Sequence, residues 1–138
     1  MERLLKAESG KQKAERARKK AALIVGHGSR RRGFQAAMKK VAASLLKGSA
    51  YVRVDCAYLE VNRPSILEGI ERLVKQGATE VRVLPYFLLT GKHVTRDIPE
   101  IISAARRRFR DRAKIILCPY MGFDKKLVLL AKQRLRGK

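Results

Sequence analysis

The fold of this chain is decided by residues 21–29, which read AALIVGHGS. The first five of these residues form a short continuous apolar run, which is typical of a strand buried in a parallel sheet. Glycines flank His27, and Phe34, Met38 and Val41 then recur at helical spacing. This segment therefore predicts a β-loop-α unit that carries a histidine in its loop.

The same pattern recurs along the rest of the chain. Apolar runs predict further strands at residues 51–59, 81–87 and 114–118, and helical spacing follows each of them. Successive βα units with crossovers of ordinary length favour a parallel sheet. We therefore expect an α/β fold, a small doubly wound parallel sheet of about four strands with helices on both faces.

Helix ends can also be predicted from the sequence. Pro64 is expected in the first turn of the second helix. Asp97 is expected to cap the third helix and to form a capping box with Glu100. Asp124 is expected to cap the fourth helix. That helix is expected to turn four apolar side chains inward: Leu127, Leu130, Ala131 and Leu135.

Length and composition indicate one domain, residues 21–138, after a basic extension at residues 1–20. The extension holds eight basic and three acidic side chains. It is either a solvated segment or an arm that contacts a partner or an acidic surface. The formal charge of +21 over 138 residues attracts polyanions, whether nucleic acid, anionic membrane or a polycarboxylate ligand.

Cysteine usage and hydropathy indicate the compartment in which the protein is expected. Cys56 and Cys118 each lie in an apolar run without a CxxC partner, which is typical of reduced, buried thiols. No apolar run approaches the roughly 18 residues of a membrane span, and no segment has the form of a signal peptide. We expect a soluble, cytoplasmic protein.

Both histidines of the chain and one glutamate follow predicted strands. His27 follows the first strand, Glu60 ends the second and His93 follows the third; each lies 33 positions after the one before it. Because the carboxyl ends of parallel strands share one rim, the three side chains should converge there. Imidazole suits divalent transition metals, and a carboxylate beside an apolar strand needs a cation, a hydrogen-bond donor or an open crevice.

Four motifs in this order resemble the small CbiX type of sirohydrochlorin chelatase, a class II chelatase. They read LIVGHGS at residues 23–29, YLE and PSI within residues 58–66, VLPYFL and GKHVTRDIP within residues 83–99, and PYMG at residues 119–122. The similarity covers about residues 21–136, so the basic extension lies outside it.

The resemblance implies insertion of a divalent metal into sirohydrochlorin without ATP, giving cobalt-sirohydrochlorin for cobalamin or the iron product, siroheme. The metal is a substrate, most simply Co²⁺, with Fe²⁺ or Ni²⁺ as alternatives, and no organic cofactor is implied. Longer relatives contain two such halves, so a chain of this length resembles one half-domain and is expected to form a homodimer around the macrocycle.

The resemblance also assigns site residues. His27 and His93 are expected to bind the metal, and Glu60 to assist in ligation or to remove the pyrrole protons, a task that a histidine released from the metal can also perform. The remaining expected site residues would hold the carboxylates of the macrocycle: Ser29, Arg30, Arg31, Arg32, Lys92 and Arg96.

Two other functional classes stay open at this point. A nucleic-acid-binding α/β module would explain the charge, but not the two histidines and the glutamate on one rim, and stacking residues are sparse, with four Phe, four Tyr and no Trp. A carrier of metal or tetrapyrrole would have the same fold, but it would bind its ligand without inserting the metal.

Overall fold

The computed structural model describes residues 18–138, which alternate between strands and helices. The strands β1 to β4 span Lys20–Gly26, Arg53–Tyr58, Glu80–Pro85 and Lys114–Leu117. The helices α1 to α4 span Phe34–Leu46, Ile66–Lys75, Ile98–Arg108 and Lys125–Leu135, and a π-helical turn, His93–Asp97, leads into α3. The predicted strands are confirmed to within two residues at each end. Residues 1–17 of the predicted extension lie outside the described residues.

The strands form one parallel sheet in the order β2-β1-β3-β4. β1 lies between two partners, so that Leu23 is flanked by Asp55 of β2 and Val83 of β3. Helix α1 packs on one face of the sheet, whereas α2 and α3 pack on the other. The predicted fold class, a small doubly wound parallel α/β sheet with helices on both faces, is confirmed.

The larger part of the core lies between the sheet and helices α2 and α3. Leu23 and Val25 of β1 are fully buried in one cluster with Ile70 of α2 and Ile102 of α3. Each such side chain contributes about 1.5–3 kcal/mol through removal from water. Gly69 lets α2 approach β1 closely, because a Cβ at this position would lie 3.0 Å from a methyl group of Leu23. This layer contacts all four strands, because the same cluster includes Ala57 of β2, Val81 of β3 and Ile115 of β4.

The opposite face is covered over only half its width. Met38 and Ala42 of α1 are buried with Ile24 of β1 and Cys56 of β2. Beyond β1, the same face continues through β3 and β4, where the side chains are only partly buried. Among the described elements, no helix covers that half of the face.

Helix α4 departs from the prediction. Leu127, Leu130, Ala131 and Leu135 were expected to face inward, but α4 contains no buried residue and has no substantial packing contact with any other element of the described part of the chain. The prediction of an inward-facing side is therefore wrong for α4: within residues 18–138, the helix does not pack on the sheet. Across residues 18–138, no helix is both long and apolar enough to cross a membrane.

The helix caps agree with the sequence prediction at the start of α4 and differ from it at the starts of α2 and α3. Asp124 caps α4 as predicted, accepting a hydrogen bond from the Lys126 backbone N–H at 2.8 Å. Pro64 was expected inside α2, but the helix starts after Ser65, which forms a capping box with Glu68. The predicted cap by Asp97 is wrong, because the chain is already helical there and its side chain makes no cap hydrogen bond.

Replacing Ser65 by alanine tests the capping box. We expect Ser65→Ala to lower the free energy of unfolding by about 1 kcal/mol, because the Glu68 backbone N–H in the first turn of α2 loses the Ser65 hydroxyl that accepts its hydrogen bond. The matched control is Ser44→Ala, which removes an exposed hydroxyl bonded to the Lys40 carbonyl within α1 and should change stability by less than about 0.5 kcal/mol. Urea unfolding measures both, and equal losses would contradict the assigned cap.

Candidate functional site

The loops that follow β1, β2 and β3 meet at one edge of the sheet, because parallel strands all end in the same direction. β1 lies between the other two strands, so the loop of His27 lies between the loops of Glu60 and His93. The rings of His27 and His93 are 5.1 Å apart at their centroids and stand edge to face. The Nε2 atom of His27 lies 3.4 Å from Oε1 of Glu60. The structure therefore brings together the three side chains that the sequence places on one rim.

The three side chains are open to solvent. The exposed fraction is 47% for His27, 57% for Glu60 and 44% for His93. Within residues 18–138, no three His, Cys, Asp or Glu side chains are arranged to hold one metal ion. The rim thus presents two imidazoles and an adjacent carboxylate, which is an open donor set and not a closed metal cage.

The first two loops are locked together by hydrogen bonds that continue the pairing of β1 with β2. The Glu60 backbone N–H donates to the His27 carbonyl at 3.1 Å, and the Ser29 N–H donates to Oδ1 of Asn62 at 2.8 Å. Gly28 lies between these bonds with a φ of +107°, and a Cβ there would stand 1.8 Å from the Glu60 carbonyl oxygen. Only glycine fits, so Gly28 is a structural requirement of the site.

The second loop contains a strained turn that sequence analysis missed. Val61 has a φ of +69°, rare for a β-branched residue, and the Asn62 N–H donates to the Glu60 carbonyl at 2.7 Å. The side chain of Val61 is 56% exposed beside the rim. Asn62 closes the turn and anchors Ser29. Turn formation by asparagine is the one signal in the sequence that favours this arrangement.

The third loop holds His93 through Asp97, whose role the sequence analysis also missed. Nδ1 of His93 lies 2.9 Å from Oδ2 of Asp97, one helical turn away. The hydrogen bond with His93 lowers the pKa of Asp97, and the charge of Arg96 acts in the same direction. An ionised carboxylate only accepts hydrogen bonds, so Nδ1 of His93 carries the proton and its Nε2 is free as a ligand in the neutral ring.

The predicted carboxylate-binding residues lie around this rim. Three consecutive exposed arginines, Arg30, Arg31 and Arg32, line a shallow depression with Ser29 and Asn62. The Ser29 hydroxyl accepts a hydrogen bond from the Arg31 backbone N–H at 3.0 Å.

On the other side of the histidines, Lys92 is exposed next to His93. Nε of Arg96 lies 3.6 Å from Oδ1 of Asp97, so that its charge is partly engaged. The basic residues that the sequence assigns to the site therefore occupy the first and third loops, on both sides of the histidine pair.

Comparison with known proteins identifies relatives of this chain. The model of the CbiX family matches residues 21–138. The chain is 36% identical over 121 residues to the sirohydrochlorin ferrochelatase of Bacillus subtilis, which covers 86% of this chain and 45% of that protein. It is 32% identical over 112 residues to the sirohydrochlorin cobaltochelatase of Sulfolobus acidocaldarius, covering 81% of this chain and 86% of that protein.

A solved structure agrees with the fold. The sirohydrochlorin chelatase SirB from Bacillus subtilis subspecies spizizenii, in complex with cobalt, superposes with a TM-score of 0.79 at 34% identity. The alignment covers 86% of this chain and 50% of that one. The chain therefore spans about half the length of the Bacillus proteins and most of the length of the Sulfolobus protein.

Alanine at Gly28 tests whether the first two loops are locked together. Gly33 provides a matched control, because it also has a positive φ, +87°, but has nothing within 4 Å of the position of a Cβ. We expect Gly33→Ala to lower the free energy of unfolding by about 1–2 kcal/mol through backbone strain alone. Gly28→Ala should cost about 1–3 kcal/mol more, because the Glu60 carbonyl must also move.

Thermal or urea unfolding of both variants supplies this comparison. Equal losses would mean that the Glu60 carbonyl does not press on Gly28.

Proposed function

Because the chain belongs to the CbiX family, whose model matches residues 21–138, we propose that it inserts a divalent metal ion into sirohydrochlorin. The observation that carries this proposal is the convergence of His27, His93 and Glu60 on one open rim. The relatives described as sirohydrochlorin ferrochelatase and cobaltochelatase support the same macrocycle as substrate. The reaction as proposed uses neither ATP nor an organic cofactor.

In this proposal, His27 and His93 receive the metal ion. Imidazole is a borderline ligand that binds Co²⁺, Fe²⁺ and Ni²⁺, and two imidazoles leave coordination positions open for the pyrrole nitrogens. Asp97 orients His93 and keeps its Nε2 available. A closed ligand set would hold the ion too tightly to release it, so the open donor set suits transfer.

Metal insertion also has to remove protons. As the divalent ion enters, two pyrrole N–H protons leave, so the charge of the macrocycle centre is unchanged. Glu60 is proposed as the base, because its carboxylate is more than half exposed and lies beside His27. A histidine released from the metal is the alternative base.

The macrocycle is a polycarboxylate, and basic residues surround the rim. We propose that Arg30, Arg31 and Arg32 on one side and Lys92 and Arg96 on the other hold its carboxylates by charge-assisted hydrogen bonds. The Ser29 hydroxyl lies within the same depression as the arginines and completes this set.

Cobalt is the metal that we propose first. The Sulfolobus relative, which has about the length of this chain, is described as a cobaltochelatase, and the superposed Bacillus structure contains cobalt. Iron is the first alternative, because the Bacillus subtilis relative is described as a ferrochelatase, and nickel is the second.

A homodimer and a cytoplasmic location complete the proposal. The Bacillus relatives are about twice as long as the aligned segment, which leaves room there for a second unit of this size. Cys56 and Cys118 are free, and burial raises the pKa of both thiols, which suits a reducing compartment.

Anaerobic incubation of the purified chain with sirohydrochlorin and Co²⁺, Fe²⁺ or Ni²⁺ tests the function, with absorbance as the measurement. We expect metal insertion faster than the spontaneous rate, and fastest with Co²⁺. His27→Ala and His93→Ala should each reduce the rate by more than the roughly 10–100-fold that outer-shell partners of metal ligands contribute. Lys40→Ala, an exposed position on α1, is the control and should be unaffected.

Two results would count against the proposal. Rates equal to the spontaneous rate with all three metals would reject chelatase activity. Near-normal turnover of either histidine variant would reject the role given to that histidine.

Two substitutions of Asp97 test its control of His93. Asp97→Ala removes the acceptor for Nδ1 and should weaken Co²⁺ binding by about 10–100-fold. Asp97→Asn keeps an acceptor oxygen and should recover most of this loss. The visible spectrum of bound Co²⁺ reports affinity independently of turnover, with Glu100→Ala on the exposed side of α3 as the control. Unchanged Co²⁺ affinity in Asp97→Ala would contradict the role.

A further inference from the structure

The end of the sheet opposite the rim that carries the histidines holds a concentration of positive charge. It is formed by the starts of β1, β3 and β4 and by the turn between α3 and β4. The Thr79 N–H donates to the Lys19 carbonyl at 2.9 Å, and the Lys114 N–H donates to the Thr79 carbonyl at 2.9 Å, so these segments lie side by side. We call this surface the basic end, and its cations are Lys19, Lys20, Arg107, Arg110, Arg112 and Lys114.

Two neighbouring arginines have a structural role, unlike those of the basic end. Nε of Arg106 donates to the Ile115 carbonyl at 3.0 Å, and Arg108 donates to Oε1 of Glu71 at 2.8 Å. Three further arginines are exposed and have no such partner in the described part of the chain: Arg107, Arg110 and Arg112. The dipole of α3 favours cations in its last turn, but two of these three arginines lie beyond the helix. Helix capping and packing therefore do not account for the charge of the basic end.

Acidic side chains offset little of this charge. Oε2 of Glu80 lies 2.9 Å from Nε of Arg82. The hydrogen bond with Arg82 lowers the pKa of Glu80, and the charges of Lys20 and Lys114 act in the same direction. Asp111 is exposed and forms no ion pair with any described residue. The basic end thus combines six cations with one unpaired carboxylate, which leaves a strong positive field at this surface.

The proposed macrocycle does not use this charge. β1 runs from Lys20 to Gly26, so about 20 Å separates the basic end from the loop of His27. The cations proposed to hold the macrocycle, such as Arg30 and Arg31, lie in the loops at the rim. Repulsion within a concentrated positive surface opposes folding, and a bound polyanion relieves that repulsion. The basic end is therefore suited to a second, anionic ligand.

The chemistry of the basic end favours a double helix over a single strand. Single-stranded nucleic acid is bound largely by stacking of its bases on aromatic side chains. The two most exposed aromatic side chains in residues 18–138, Tyr86 and Phe123, lie in loops after β3 and β4, at the rim end of the sheet. Half of the cations of the basic end are arginines, which bind phosphate oxygens in bidentate fashion. Such contacts hold a phosphate backbone and carry no base sequence information.

We propose that the basic end binds the phosphate backbone of double-helical nucleic acid without reading its bases. The rim stays free in such a complex, because it lies at the other end of the strands. Metal insertion and nucleic-acid binding therefore use separate surfaces of one sheet. This inference does not rest on the proposed function, and its test does not require sirohydrochlorin.

Fluorescence anisotropy of the full chain with a labelled DNA duplex of about 20 base pairs measures the binding. Neutralised phosphates release counterions, so the logarithm of the affinity falls with the logarithm of the salt concentration, by about 0.9 per phosphate. Six cations predict a slope of about −4 to −5 between about 50 and 200 mM salt. A single strand of the same length should bind more weakly, because its charge density is lower.

Two double variants remove cations of the basic end. Arg110→Gln combined with Arg112→Gln changes the turn after α3. Lys19→Gln combined with Lys114→Gln changes the starts of β1 and β4. Each pair should make the salt slope shallower by about 2 and weaken duplex binding at least about 10-fold at the lowest salt. Circular dichroism verifies that the variants are folded, and their rate of metal insertion should be unchanged.

Each pair has a matched control with the same change in charge. Arg30→Gln combined with Arg31→Gln lies at the rim. Lys39→Gln combined with Lys40→Gln lies on the exposed side of α1. Both controls should weaken duplex binding less than about 2-fold, because charges farther away than the Debye length of about 10 Å are screened. The rim pair should instead slow metal insertion, which separates the two activities by position.

Four results would overturn the proposal. The first is absence of duplex binding at about 50 mM salt. The second is an equal loss of affinity in the control pairs, which would mean that only net charge acts. The third is tighter binding of the single strand than of the duplex. The fourth is tighter binding to vesicles of phosphatidylglycerol and phosphatidylcholine that the variants of the basic end abolish, which would assign this surface to an anionic membrane.

Discussion

The structure depends on the central position of β1, which hydrogen-bonds to β2 on one side and to β3 on the other in a fully parallel sheet. Parallel pairing makes all three strands end at the same edge, and the register places Gly26 beside Tyr58. The loops that follow are therefore adjacent before any side chain is considered. His27, on the middle loop, can contact both neighbours, whereas Glu60 and His93 approach it from opposite sides.

Much of this arrangement is predictable from the sequence because it follows from periodicity. A continuous apolar run such as residues 21–25 indicates a strand covered on both faces, and the direction of parallel strands then places three loops on one rim. Side-chain partners are less predictable. Asp97 has the sequence pattern of a helix cap, but the π-helical turn before α3 leaves no N-terminus to cap there, and its carboxylate contacts His93 instead.

Helix α4 marks a different limit of prediction. Its apolar spacing predicts that one side of the helix turns inward, yet α4 contains no buried residue, because spacing carries no information about whether a covering surface lies within reach. The backbone of Val61 shows a third limit. A positive φ at a β-branched residue is costly, and nothing in its side chain favours it; the hydrogen bonds of Asn62 and the close approach of Gly28 to Glu60 impose it. Such strain arises only when two distant loops are packed together.

The strained loop and the open donor set have a common physical basis. Strain at Val61 persists because the fully packed layer beneath, from Leu23 through Ile70 to Ile102, fixes the ends of β1 and β2 and leaves the loops little freedom to relax. The same rigidity lets three half-exposed side chains keep their positions without a closed set of ligands around them. Under the proposed function, the site accepts an ion and then gives it up, so it cannot rely on tight coordination for its geometry. The sheet has to supply that geometry. Burial of the core, and not affinity for metal, therefore fixes the positions of the side chains on the rim.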